Sequence, residues 1–169
     1  VQVALAVVAG DVLLYWGHGG APGNSIGQGE FTLVDERWKT AFGWNTDWRD
    51  YLPETLDDYR MVGLIAPGMR EEESFSDDEV ALFAAGLEGG TRLVAFGDVT
   101  TCGQSAVNDL IAALGVSIRW NGDDADANRV LYSDGINSQH QATQGVTSLR
   151  FRDPCYCDQQ DGDTLVTSE

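Results

Sequence analysis

Lysine is nearly missing from this chain. Lys39 stands alone, and all ten lysines and arginines together face 27 aspartates and glutamates, for a formal charge of −17. Phosphate backbones are held by cationic neutralisation, so this balance excludes nucleic acid as a partner and argues equally against an anionic membrane surface. Long apolar runs are missing too. Even the opening stretch Val1–Ala9 is cut off by Gly10-Asp11, well short of the roughly 18–20 residues of a bilayer span, so no membrane insertion is expected. Cysteine is scarce and odd in number: Cys102, Cys155 and Cys157 leave one over however they pair. One residue separates Cys155 from Cys157, too tight for an unstrained mutual bridge. A disulfide would instead join Cys102 to Cys155 or Cys157 and imply an oxidising, extracellular or envelope location, while three buried thiols would give the same sequence.

What is present is enough for one folded core. The chain has 169 residues, 43% of them hydrophobic, which suits a single α/β domain and is too apolar for a disordered acidic tail. It starts at Val1 and ends on Asp163-Thr164-Leu165-Val166-Thr167-Ser168-Glu169, which reads like the entry to another strand. The chain is therefore expected to be a processed product or a segment of a larger protein. There is no internal repeat.

The clearest pattern lies between Met61 and Leu114. Met61–Ala66 is a continuous apolar run closed by Pro67-Gly68, as expected of a central parallel strand covered on both faces. Ser76-Asp77-Asp78-Glu79 reads as a capping box, and its acidic first turn suits the helix dipole. Val80, Phe83, Ala84 and Leu87 follow at helical spacing and are expected on one buried face, with Gly89-Gly90 as the stop. Arg92–Phe96 repeats the strand pattern and ends at Gly97-Asp98; Val107, Leu110, Ile111 and Leu114 mark a second helix ended by Gly115. Val116–Trp120 is a further strand candidate, Val3–Val8 an opening one, and Val12–Trp16 extends or follows it. Strands alternating with helices of this length predict right-handed crossovers and a mainly parallel sheet between helix layers: a three-layer α/β sandwich of the flavodoxin-like kind. Residues 17–59 and 121–146 read as mostly irregular, with short edge strands at Arg129–Tyr132 and Ser148–Phe151.

The segments Phe75–Val80, Leu87–Asp98 and Val107–Val116 together resemble the helix, Gly-Gly, strand, Gly-Asp, helix, Leu-Gly core of class I glutamine-amidotransferase-like domains. They are most similar to the catalytically silent group found in gliding-motility GldG proteins and the intraflagellar transport family. His140-Gln141-Ala142-Thr143-Gln144-Gly145 is similar to a His-Pro-Ile-Thr-x-Gly turn of the same domains. The resemblance spans roughly residues 60 to 151 and implies the fold. It argues against the amidase chemistry, because Asp98 stands where an active member carries its cysteine.

Several candidate sites follow. Cys102 with His140 is the sharpest nucleophile and base pairing, for a thiol-dependent hydrolase or amidotransferase-like reaction; a structural or disulfide-bonded cysteine and a turn histidine are the alternative. Asp123, Asp124, Asp126 and Asn128 form one oxygen-rich loop, and Asp158, Asp161 and Asp163 another. Hard oxygen ligands of this kind suit Ca²⁺, yet neither loop has the distal bidentate Glu of an EF-hand, and solvated acidic turns look the same. The Gly17-His18-Gly19-Gly20 loop lacks both phosphate-cradle patterns. Trp44, Trp48 and Tyr51 would make a stacking platform for sugar rings, or pack the irregular segment on the sheet. Open parallel sheets bind ligands at the carboxyl ends of their strands, which points to the loops near Asp11, Pro67 and Asp98. The leading expectation is a non-catalytic binding or assembly domain with a protein or carbohydrate ligand; a self-assembling structural protein, a homo-oligomer through open sheet edges, is the third.

Overall fold

The computed structural model describes residues 11–18, 30–65, 74–96, 104–121, 130–133, 135–136, 139, 149–152, 156–158 and 166–167. Four strands, β1 (Val12–Tyr15), β2 (Thr46–Arg49), β3 (Met61–Ile65) and β4 (Arg92–Phe96), form one sheet in the order β2-β1-β3-β4. Every pairing in it is parallel, with Met61 opposite Arg92 and Ile65 opposite Phe96. Helices α1 (Glu30–Phe42), α2 (Asp77–Glu88) and α3 (Gln104–Ala113) carry or follow the crossovers. The expected mainly parallel α/β sandwich is what the sheet and helices form.

The two faces of the sheet bury separate clusters because successive side chains of a strand point to opposite sides. Leu13, Tyr15, Val62 and Leu64 join Phe83 of α2 and Leu110 of α3 on one face. Val12, Leu14 and Ile65 lie on the other, covered by Trp16, Trp38 of α1, Trp44, Trp48 and Met61. Three layers result: α1, sheet, and α2 with α3. Each fully buried Leu, Val or Phe contributes about 1.5–3 kcal/mol by leaving water.

Helix α2 begins as its sequence demands. The Ser76 side chain accepts from the Glu79 amide while Glu79 accepts from the Ser76 amide, and both α2 and α3 end in glycines of left-handed backbone, Gly90 (φ 97°) and Gly115 (φ 79°). The Thr91 amide returns to the Gly86 carbonyl and the Val116 amide to that of Ile111, satisfying groups the helix ends leave open.

Four expectations need correction. The buried stripe of α2 is rotated: Leu87 is 39% exposed, whereas Phe83 and Gly86 are buried. Gly86 is there because Leu56 crosses it, and a Cβ would sit 3.0 Å from Leu56 Cβ. Residues 17–59 are not simply irregular, since they hold α1 and β2. The strand after α3 does not join the parallel sheet: β5 (Arg119–Asn121) pairs antiparallel with β9 (Tyr156–Asp158). Its sequence explains this, because Val116, Ile118 and Trp120 alternate with Ser117, Arg119 and Asn121, the pattern of a half-covered antiparallel strand. Likewise β6 (Val130–Ser133) and β8 (Leu149–Arg152), read as sheet edges, pair antiparallel with each other, as do β7 (Gly135–Ile136) and β10 (Val166–Thr167). The Val3–Val8 strand lies outside the described residues.

Candidate functional site

Asp11 falls at the amino end of β1, so it does not belong to the carboxyl-end loops among which the sequence placed it. Its carboxylate accepts from the Asn45 amide (3.1 Å) and from Arg60 Nε (3.1 Å), tying together the entries to β1, β2 and β3. The Asn45 amide and the Arg60 guanidinium outweigh partial desolvation and hold its carboxyl below the usual range. The three aromatics do not form one platform either. Trp44 and Trp48 pack in the α1-side cluster, while Tyr51 is 60% exposed just beyond the carboxyl end of β2. Asp158 lies in β9 opposite Arg119, and Cys157 opposite Trp120. Cys102, His140, Asp98, Asp123, Asp124, Asp126, Asn128, Cys155, Asp161 and Asp163 lie outside the described residues. Among the described residues, no group of three or more His, Cys, Asp or Glu is placed to hold a metal ion, and no helix is long and apolar enough to cross a membrane.

The carboxyl edge of the sheet carries a cleft of about 540 Å³. Tyr15 from the end of β1 and His18 just beyond it form one side; Asp50 to Glu54, following β2, form another; Asp78, Glu79 and Leu82 of α2 close the third. The sheet order places this cleft beside the point where the strand order reverses, since β1 lies between β2 and β3. Ligands of open parallel sheets gather at that position.

The geometry behind Tyr15 depends on Gly17. A Cβ at Gly17 would collide with the Tyr15 hydroxyl and lie 2.6 Å from the Asp50 carbonyl, so only glycine lets the phenol fold over this turn. The next residue, His18, takes a left-handed backbone (φ 54°), which costs a non-glycine residue on the order of 1 kcal/mol. Its imidazole packs 4.2 Å from the Phe75 ring centroid and 6.0 Å from that of Tyr15, and Nε2 lies 2.9 Å from Glu79 Oε1.

Glu79 thus does two jobs with two oxygens. Oε2 accepts from the Ser76 amide and hydroxyl, both at 2.8 Å, while Oε1 meets His18. Partial burial works to raise its carboxyl, but the Ser76 amide, His18 and the Ser76 hydroxyl outweigh it and hold Glu79 below the usual carboxylate value. It is an ionised acceptor at neutral pH.

A second network sets the opposite wall. Asp47 Oδ2 accepts from Arg49 Nε (2.7 Å) and from the Tyr59 hydroxyl (2.8 Å), and the Arg49 guanidinium lies 5.2 Å from the centroid of the Tyr51 ring. Partial burial opposes ionisation of Asp47, yet Arg49 and Tyr59 hold its carboxyl down, while burial and then the Asp47 bond push the Tyr59 phenol up to about 12. Tyr51 is therefore backed by a neutralised pair, with its ring largely open to solvent.

Of the described residues proposed for ligands from sequence, only Tyr51 lines this cleft. His18 and Glu79 were visible as a glycine-flanked histidine after a strand and as a cap residue. Their pairing, 61 residues apart, has no local signal. No family model, curated protein or solved structure matches the chain.

Proposed function

We propose that the chain is a non-catalytic binding domain that seats a polyhydroxylated ligand of the carbohydrate class in the carboxyl-edge cleft. The observation that carries this reading is the composition of the cleft wall. Exposed carboxylates of Asp50, Glu54 and Asp78 stand beside the open ring of Tyr51 and the apolar surfaces of Leu52, Pro53 and Leu82. Ionised carboxylates only accept hydrogen bonds, so they complement a ligand rich in hydroxyl donors. Flat aromatic and aliphatic surfaces complement the C–H faces of a sugar ring. The volume is that of an ordinary small-ligand site.

Two features favour binding over catalysis. Among the described residues that line the cleft there is no Ser, Thr, Cys or Lys to act as nucleophile, and Glu79, fixed by the cap and by His18, is held ionised and so is poorly placed to donate a proton. The resemblance to the silent amidotransferase-like group points the same way. Calorimetric titration of the chain with soluble oligosaccharides tests the reading. Tyr51→Ala is expected to weaken binding by about tenfold or more, as loss of an aromatic anchor does, with the unfolding midpoint unchanged. Absence of any oligosaccharide binding, or equal binding by the variant, rejects it.

A further inference from the structure

Two walls of the cleft meet in a contact whose strength depends on a proton. His18 leaves β1 in a left-handed turn, and its Nε2 reaches Glu79 Oε1 at 2.9 Å. Glu79 stands in the first turn of α2, where its other oxygen accepts from the Ser76 amide. The end of β1 is thereby tied to the amino terminus of α2, and both partners line the cleft. A left-handed backbone is unfavourable for any residue but glycine, so the turn is held only as firmly as its contacts hold it.

An ionised carboxylate only accepts hydrogen bonds, so Nε2 carries a hydrogen here and the charge of the ring is decided at Nδ1. A second proton turns the neutral donor into a cation, and a charge-assisted bond is about twice as strong as a neutral one. The side chains of His18 and Glu79 are 11% and 27% exposed, so water and salt screen this pair less than a surface pair. Against partial burial, the Ser76 amide, His18 and the Ser76 hydroxyl hold the Glu79 carboxyl below its ordinary 4.5. Its charge is therefore present above that value and lost only as the pH falls beneath it. Histidines change charge between about pH 5 and 8. Across that window the acceptor is constant and the donor is the variable. The other titratable groups that the described residues bring to the cleft are Tyr15 on the same strand, Asp50, Tyr51 and Glu54 after β2, and Asp78 of α2. Their carboxylates are opposite in sign to an imidazolium and act with Glu79 rather than against it.

We propose that His18 and Glu79 form a pH-sensitive latch on the carboxyl-edge cleft: the imidazolium fixes the β1 turn against the α2 terminus at mildly acidic pH, and loss of its proton loosens that wall as the pH rises. The latch acts on the site read above as a carbohydrate cleft, but it is measured without ligand, so either can fail while the other stands.

The test is a double-mutant cycle on the whole 169-residue chain. Wild type, His18→Asn, Glu79→Gln and the double variant are unfolded in urea at about pH 5.5 and about pH 8. Asparagine tolerates the left-handed turn without a charge, and glutamine at the third helical position preserves the capping box. His140, the other histidine, is present in all four chains, so its titration cancels. Coupling between the two positions is expected to raise the folding equilibrium constant about tenfold or more at the lower pH and about threefold or less at the higher. Relaxation dispersion on the Gly17, His18 and Glu79 amides reads the wall itself. Exchange between two states should be stronger at the higher pH in the wild type and independent of pH in His18→Asn. If His18→Asn is too unstable for the cycle, His18→Gln, also uncharged, takes its place. Coupling that is equal at the two pH values, or larger at the higher, overturns the latch. So does pH-dependent coupling with unchanged dispersion, which reduces the pair to a structural bond that leaves the wall unmoved.

Discussion

The two edges of the parallel sheet spend their polar groups in opposite ways. At the amino edge Asp11 gathers Asn45 and Arg60, and the buried Thr91 hydroxyl shares its proton between the carbonyls of Leu56 (3.1 Å) and Tyr59 (2.9 Å). Backbone bonds from Val12 to Asn45, Arg60 to Asp11 and Arg92 to Arg60 complete the stitching. At the carboxyl edge His18 accepts a strained backbone, Tyr51 turns its ring to water, and Asp50, Glu54 and Asp78 stand exposed. A satisfied polar group stabilises the fold and has nothing left to offer; an exposed one gives little stability and keeps its capacity for a partner. Changes at the amino edge should therefore be read in stability, and changes at the carboxyl edge in binding.

The change most able to break that division is Gly17→Ala. It belongs to the carboxyl edge, yet the new methyl must displace the Tyr15 ring or the Asp50 backbone, which should cost about 2–3 kcal/mol in urea unfolding as well as deform the cleft. A cost near zero would mean that the Tyr15 placement over Gly17 is incorrect. Thr91→Val comes next. It removes a buried side-chain donor to two carbonyls and should cost about 1–2 kcal/mol while leaving oligosaccharide affinity unchanged. An effect on affinity would show the edges to be coupled.

The alkaline limb of stability offers a finer probe. Tyr59 holds its proton to about 12 in the folded chain against an ordinary 10.0, so the folded state binds that proton more tightly than the unfolded one does. Its contribution is complete below pH 10 and disappears as pH rises through 12. Chemical denaturation across that window should show stability falling in the wild type and a shallower fall in Tyr59→Phe. Asp11→Asn should give the smallest change, a slight drop in melting temperature that high salt diminishes, because the carboxylate and Arg60 are both accessible to solvent. A large drop would mean that the amino edge depends on this one charge.

Legibility from sequence followed burial. The runs Met61–Ile65 and Leu93–Phe96 are apolar throughout, as strands covered on both faces are, and they are readable as parallel neighbours from the sequence. The Ser76 cap and the Gly115 stop were readable because their chemistry is local. β2 is not, since Thr-Asp-Trp-Arg half-buries Trp48 on one face and pairs Asp47 with Arg49 and Tyr59 on the other. Helix α1 carries apolar residues at positions 31, 34 and 38, a helical spacing masked by the charged residues between them. The cleft was the least readable. Tyr51 stood out as an aromatic among polar residues, but His18 and Glu79 come together only after the β1 turn and the α2 cap are both in place.

That double use of Glu79 bears on the order in which the chain becomes structured. The Ser76 contact closes a loop of three residues and the His18 contact one of 61, so the capped turn can nucleate early while the long-range bond must wait for β1 and β3 to meet. By then the carboxylate is already aimed, its rotamer entropy lost to the helix terminus. The late step inherits a prepared acceptor, and the left-handed turn at His18 is stabilised by a residue whose position was settled first.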